Sequence, residues 1–551
     1  MNTLTARTKT RTAAALCVAA ALCAALLQRW NAQRAYDICN ILSAAGLLLL
    51  AFLSRRGSLR ALREPSVILL GLWSALSFLP LTFRYWGKRP ALLLLLASAV
   101  VFWLLFACWK QGLSRLAASL RARRAAGDAP AAAVLNRQCL LVFLFSLALT
   151  CLIWSWHFPY GKSADVMNQL RQIHGELRFS DIHAVGHALL LKGLLSLVDD
   201  PTIVVVLQIV CICLLYTAFA RFFLKRDLPL WAVLTAVGLF NLSVIYLLPA
   251  VFPWKDCPYA LCVGVLTLLL MRDCEDPAQG DGWGQSVGYG LALAGILLFR
   301  LNGVVIVLAV GAYLAVRRLR RGKWSRLAVI LLIVLGLWFF VRWLAYDVFG
   351  AISPANGFAY QVFGSGIAAA INDGRATPQE LARVGEVLPL DWLQRHYDRW
   401  DTYTLVWDID GTIQDPDLQV FNNAFVLAMG AKPGEVLRLY LELLPNHWLT
   451  YIKNIAYGTV TLWGHSAFSD VYVYDNCSML ALLFLTASVC WKRREWKSRW
   501  IVLAPVLCNL ISIAISTVTN ENRYWYPTVL CLPFLLLYCF LTQPDSAYAG
   551  E

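Results

Sequence analysis

The chain has 551 residues, of which 59% are hydrophobic and only 15% charged, and its mean hydropathy of +0.60 exceeds what a water-soluble globular core can hide. Its formal charge of +15 invites a nucleic-acid reading, but Lys and Arg fall in short clusters between apolar runs. Membrane orientation accounts for such clusters, so a lipid bilayer and no nucleic acid is the expected environment.

The apolar runs are long enough to cross a hydrocarbon core of about 30 Å, and backbone in lipid must satisfy its hydrogen bonds within each segment. The fold class expected is therefore all-α, a polytopic transmembrane bundle of about 14 helices. Runs at 12–29, 36–54, 66–84 and 91–109 predict an N-terminal four-helix bundle. The basic start of the first lacks a small-residue cleavage site, so it reads as a retained helix. An Ala/Arg-rich stretch at 115–134 reads as a surface-lying amphipathic helix that completes a first domain, 1–137. Spans at 138–156, 201–223, 229–248, 257–271, 286–299, 303–317 and 327–348 form a membrane core, 138–350, with a first large loop at 157–200. A hydrophilic segment, 351–470, follows, and 475–491, 499–519 and 524–542 end the chain within a last domain, 471–551.

Placing the N-terminus in the cytoplasm puts Arg55, Arg56, Arg60 and Arg63, then Lys110 to Arg137, then Arg221, Lys225 and Arg226, then Arg317 to Arg326, then Lys492 to Arg499 on that side. The C-terminus falls there too. All seven histidines, His157, His174, His183, His187, His396, His447 and His465, then fall outside. So does 351–470, which holds 13 acidic and 7 basic residues and is too long for a turn; it predicts a small, mostly helical extracytoplasmic subdomain. Most of the 16 cysteines, among them Cys17, Cys108, Cys151, Cys211, Cys213, Cys508 and Cys531, sit inside apolar runs without paired metal spacing, which implies neither zinc nor a disulfide framework.

The loop that begins at His157 is the most informative stretch. Asp165 opens a pattern suited to a short helix that also carries Gln169, and a second amphipathic helix is expected after His183, with His183 and His187 at i and i+4 on one face. Asp165 can act as a base or metal ligand, with Asp181, His183 and His187 in the same pocket. The structural alternative makes them solvated loop residues, with Asp181 as a helix N-cap. Three further constellations sit at expected outer helix ends: Trp254-Lys255-Asp256 before Pro258 and Tyr259, Arg300-Leu301-Asn302-Gly303, and Glu521-Asn522-Arg523-Tyr524 before Tyr526 and Pro527. An arginine between apolar runs is costly unless it faces a cavity or a partner. Trp407-Asp408-Ile409-Asp410-Gly411-Thr412 matches the nucleophile signature of haloacid-dehalogenase-like phosphatases, but no doubly wound domain surrounds it. A calcium loop of Asp408, Asp410, Asp415 and Asp417 is the other functional reading, and a solvated turn the plain one.

Together these motifs resemble the GT-C glycosyltransferase superfamily, polytopic enzymes that include the protein O-mannosyltransferases. Asp165 resembles the acidic residue that members carry early in the first large outer loop. Asp181-Ile182-His183 resembles the start of their juxtamembrane Asp-x-His-Pro-Pro motif, with Ala184 and Val185 standing where prolines are usual. Trp254 to Tyr259, Arg300 to Gly303 and Arg523 to Pro527 resemble motifs of a bacterial branch of such proteins, over roughly residues 138–540. The resemblance implies transfer of a sugar from a polyprenyl-phosphate donor to a cell-envelope glycan, lipid or protein at the outer face of a bacterial plasma membrane. Lys255, Arg300 and Arg523 would meet the phosphate, with Gln169, His187, Asp256, Asn302, Glu521 and Tyr524 also binding substrate, and Asp165 would take the acceptor proton with Asp181 and His183 beside it. No metal ligand set is assigned; a divalent ion could bind through Asp165 and a histidine, but lipid-phosphate donors do not require one. The rival readings are a flippase for a lipid-linked precursor, and a polysaccharide polymerase or ligase.

Overall fold

The computed structural model describes residues 131–181, 184–241, 249–276, 282–352, 361–399, 402–405, 424–459, 476–491, 499–516 and 522–541, with scattered positions between 67 and 118. His183, His465, Glu521 and the Asp408 to Asp417 turn lie outside these residues, as do almost all of the four N-terminal spans and of the 115–134 helix.

The chain divides into two compact units, residues 1–127 with 463–493 and 539–551, and residues 128–462 with 494–538. In the first, the longest described element is the helix Asn476–Cys490, which matches the expected span at 475–491.

The second unit begins with α1 (Ala132–Trp156), then two short helices in the first large loop, α2 (Ala164–Ile173) and α3 (Val185–Leu195). It continues with α4 (Thr202–Leu224), α5 (Leu230–Asn241), α6 (Asp256–Glu275), α7 (Trp283–Phe299), α8 (Val304–Arg320) and α9 (Trp324–Trp343), the last extended by a π turn, Leu344–Val348. Among the described residues every regular element is helical, and five helical stretches are long and apolar enough to cross a membrane: Ala132–Trp156, Thr202–Leu224, Asp256–Glu275, Leu301–Arg320 and Trp324–Val348. Their burial tells which solvent they meet. Most of α6 is buried, packed against α4 and α7, whereas α9 leaves Leu331, Leu332, Leu335, Phe339, Phe340 and Trp343 uncovered, an apolar surface suited to lipid.

Residues 361–459 build a separate core from α10 (Gln361–Asn372), α11 (Pro378–Val387), α12 (Leu390–His396), α13 (Ala424–Ala431) and α14 (Pro433–Gly458). Thr377 and Glu380 cap α11 reciprocally, with Pro378 at its first position. Inside α14, Pro445 removes a backbone donor and the helix kinks at His447. The buried His447 ring there lies 3.3 Å from Asp373 and 3.6 Å from Glu380. Two apolar helices complete the unit, α16 (Ala504–Ser516) and α17 (Tyr526–Cys539), with α15 being Asn476–Cys490 of the first unit.

Side-chain contacts sort the helix ends. Arg221 donates to Asn136 at 3.1 Å, Arg317 pairs with Asp273 at 3.2 Å and Arg499 with Glu275 at 3.1 Å, all at one end of the bundle. About 30 Å away, at the other end of the 20-residue α6, lies Asp256.

Candidate functional site

Each helix of the site starts or stops for a local reason that also aims a side chain. Ser163 caps α2 by accepting from the Val166 amide at 3.3 Å, which leaves Asp165 in the first turn, where the helix dipole favours a carboxylate. The approach to that cap is drawn in tightly. Gly161 donates to the Val251 carbonyl at 2.9 Å, and a Cβ at Gly161 would lie within 2.5 Å of the Phe252 ring. Phe252 stacks on Trp254 at 4.4 Å, and Trp254 donates its indole N–H to Ser163 Oγ at 2.7 Å. Lys255 then stands at the cap position of α6 and Asp256 begins it. α7 ends at Arg300, and the 3-10 turn Leu301–Gly303 separates it from α8. Gly303 is required there, because a Cβ would sit 2.6 Å from the Ile296 carbonyl oxygen.

These termini bring distant charges together. Arg523, from the turn before α17, pairs with Asp165, and Arg300 pairs with Asp256. The two pairs differ in depth: the Asp165 and Arg523 side chains are 29% and 17% exposed, those of Asp256 and Arg300 1% and 7%. Tyr524 lies between them, its ring 4.4 Å from the Arg300 guanidinium and 5.5 Å from that of Arg523. Trp254 lies 5.7 Å from Arg523 on another side. Lys255, half-buried, is within electrostatic reach of Asp165, Asp256, Arg300 and Arg523. Among the described residues the cluster therefore holds three cations and two carboxylates.

A chain of hydrogen bonds fixes the deeper pair. Arg300 Nε donates to Asn302 Oδ1 at 3.2 Å, Asn302 donates to Ser512 Oγ at 3.3 Å, and Ser512 donates to the Asn509 carbonyl at 2.7 Å. Asn509 in turn accepts from the Tyr259 hydroxyl at 2.8 Å and donates to the Tyr524 carbonyl at 3.3 Å. The Asp256 Oδ2 atom is buried with no hydrogen-bond partner, a place where a bound hydroxyl could donate.

Of the residues singled out in the sequence, Asp165, Lys255, Asp256, Arg300, Asn302, Arg523 and Tyr524 converge. Gln169, one turn beyond Asp165, accepts from buried His187 Nδ1 at 3.1 Å. An amide oxygen only accepts, so Nδ1 carries the hydrogen of that bond. Asp181 belongs to a different network: its carboxylate accepts from Tyr346 at 2.6 Å, and its backbone N–H donates to Ile352 at 3.0 Å beside a Ser180–Ile352 bridge. Two local expectations are corrected. α3 begins at Val185 with Ala184 in the cap position, so Asp181 does not cap it. α3 is also apolar around its circumference instead of amphipathic, because it packs among α2, α4, α7 and α9.

Ser163, Asn509 and Ser512 were not chosen from the sequence, and Trp254 and Tyr259 entered it only as motif neighbours of Lys255 and Asp256. Asn509 and Ser512, at i and i+3 in an otherwise apolar span, were the legible signal. Among the described residues, no group of three or more His, Cys, Asp or Glu side chains is arranged to hold a metal ion, and Asp165 is engaged by Arg523.

No protein-family model matches the chain, and neither a curated protein nor a solved structure matches it significantly.

Proposed function

We propose that this protein is a membrane glycosyltransferase of GT-C type that moves a sugar from a polyprenyl-phosphate donor to a cell-envelope acceptor at the outer face of a bacterial plasma membrane. One observation carries the reading: Lys255, Arg300 and Arg523 gather with Asp165 and Asp256 at one end of the apolar helices, leaving a positive surplus where a lipid-borne phosphate would arrive. The opposite end carries Arg221, Lys225, Arg226, Arg272 and Arg317, and the positive-inside rule makes that end cytoplasmic, with both termini on its side.

The pairs suggest how the site works. Arg523 holds Asp165 in an ion pair that makes the carboxylate a poor base. A donor phosphate competes for Arg523 and Lys255, neutralising the leaving group as the glycosidic bond breaks, and frees Asp165 to take the acceptor hydroxyl's proton. The more buried Asp256–Arg300 pair, braced by Asn302 and Ser512, keeps Tyr524 and Arg523 in place. The transition state has oxocarbenium character, as in glycosyl transfer generally. Residues 361–459 form a helical surface for the acceptor.

The test is transfer of radiolabel from polyprenyl-phosphate sugars to membrane acceptors by purified protein and its Asp165→Asn variant. Equal transfer by both removes Asp165 from catalysis. One observation favours a second reading, a flippase for lipid-linked precursors: α6 is ion-paired at both ends, Asp256 to Arg300 and Asp273 to Arg317, as an element with alternating gates would be. Movement of labelled lipid across proteoliposomes without sugar transfer would select it.

A further inference from the structure

A second cleft, of about 400 Å³, lies at the end of the helices remote from Asp256. Arg221, Lys225 and Arg226 reach it from the end of α4, Arg272 and Asp276 from the end of α6, and Gln285 from the start of α7. Four cations thus face one carboxylate. The acidic side chains nearest in sequence to Arg272 are committed elsewhere, Asp273 to Arg317 at 3.2 Å and Glu275 to Arg499 at 3.1 Å. Arg221 and Arg272 are close enough to repel each other, and both are held in position or kept exposed rather than neutralised: Arg221 is oriented by Asn136 at 3.1 Å. Arg226 is fixed by stacking 3.9 Å above the Phe222 ring while donating to the Phe222 carbonyl at 3.1 Å. An anion would relieve this repulsion.

The surface that leads into the cleft identifies what carries the anion. On α4, Leu207 and Leu214 precede Arg221 at intervals of seven, so the three share a face, and both leucines are exposed. On α7, exposed Val287 and Leu291 continue the face of Gly284, which lines the cleft. Val265 on α6, packed between α4 and α7, is exposed as well. Beside the cleft stands Trp283, half-exposed with the Arg326 guanidinium 3.3 Å from its ring centre, a pairing suited to the headgroup level of a bilayer.

We infer that this cleft binds the phosphate headgroup of an acidic phospholipid, with Arg221, Lys225, Arg226 and Arg272 around the phosphate and the acyl chains along the strip of α4, α6 and α7. The apolar strip is what distinguishes a lipid from a free phosphate, since the cations alone would serve either. This site is separate from the proposed glycosyl-transfer centre and does not depend on it.

The experiment is native mass spectrometry of the full-length protein released from mixed micelles of phosphatidylglycerol and phosphatidylcholine. Wild type is expected to retain phosphatidylglycerol in preference. The R221Q/K225Q/R272Q variant should lose it by about five-fold per removed charge, the effect of about 1 kcal/mol for each basic group near a membrane surface, while R320Q/R321Q retains it. Leu214→Ser should weaken retention as well. Undiminished retention in the triple variant, equal loss in R320Q/R321Q, or displacement of the lipid by millimolar inorganic phosphate with no effect of Leu214→Ser would each overturn the assignment. Should the triple variant fail to fold, K225E alone gives the same reading.

Discussion

Arg523 donates to the carboxylate of Asp165 across 358 positions of sequence, joining the turn before α17 to the first turn of α2. The pair is partly open, while the Asp256–Arg300 pair near it is sealed from solvent. Under the proposed function, that difference in depth suits the first pair to chemistry and the second to architecture.

Under the proposed function, Asp165→Asn keeps the shape of the site but removes the base. Transfer should fall by about 10²- to 10⁴-fold with little change in thermal unfolding. Arg523→Gln should lower transfer too and raise the KM for the lipid donor, read from initial rates against donor concentration. A variant that loses donor affinity without losing turnover would separate phosphate binding from proton transfer.

The buried pair should behave differently. Arg300→Gln leaves the Asp256 carboxylate without its cation, and breaking one partner of a buried pair costs about 3–5 kcal/mol. Detergent-solubilised Arg300→Gln should unfold at a markedly lower temperature than wild type. The double variant Asp256→Leu/Arg300→Met should recover much of that loss while remaining inactive. Full stability in Arg300→Gln would show that the pair braces nothing.

Gly303→Ala directs a methyl at the Ile296 carbonyl, 2.6 Å from its oxygen. Backbone cannot yield as a side chain does, so a loss of about 1–3 kcal/mol is expected, with transfer falling because Arg300 moves with the turn. The control is Gly311→Ala on α8, where a Cβ meets nothing within 4 Å. Equal melting of the two variants would contradict the close approach.

In the 361–459 segment, bonds from the Thr377 amide at 2.8 Å and Asn446 at 3.0 Å hold Glu380 at a pKa of about 2, below its ordinary 4.5. A depressed carboxylate contributes stability that is complete above the unfolded value and lost as pH falls through the folded one. Thermal unfolding followed by fluorescence should therefore weaken between about pH 4.5 and 2, and Glu380→Gln should flatten that part of the profile. Asp373, lowered by its bond from Thr450 at 2.6 Å, contributes in the same direction. An unchanged acid limb in Glu380→Gln would remove this carboxylate from the account.

Sidedness is tested directly. In a cysteine-depleted background, a membrane-impermeant maleimide added to whole cells should label a cysteine at Lys162 but not one at Arg320. Labelling of Arg320 alone would invert the topology and place the ionic cluster in the cytosol.

Helices were legible because lipid imposes them: an apolar run with no water to satisfy its backbone has one local solution. From 138 onward a described helix overlaps each expected span, five of the helical stretches being long and apolar enough to cross a membrane, and the 3-10 turn at Leu301–Gly303 falls at the gap between two of them. The expected Asp181 cap failed for a physical reason. It assumed that a polar residue near a helix start serves that helix, whereas Asp181 is taken by Tyr346 from 165 positions away.

Composition and periodicity alone determined that this chain is helical and apolar enough to live in a bilayer, and that isolated cations at the edges of its apolar runs needed partners. Which carboxylate meets which guanidinium was decided only by tertiary packing. Coulomb attraction acts over a few ångströms, and sequence distance says nothing about which helix ends come within that range.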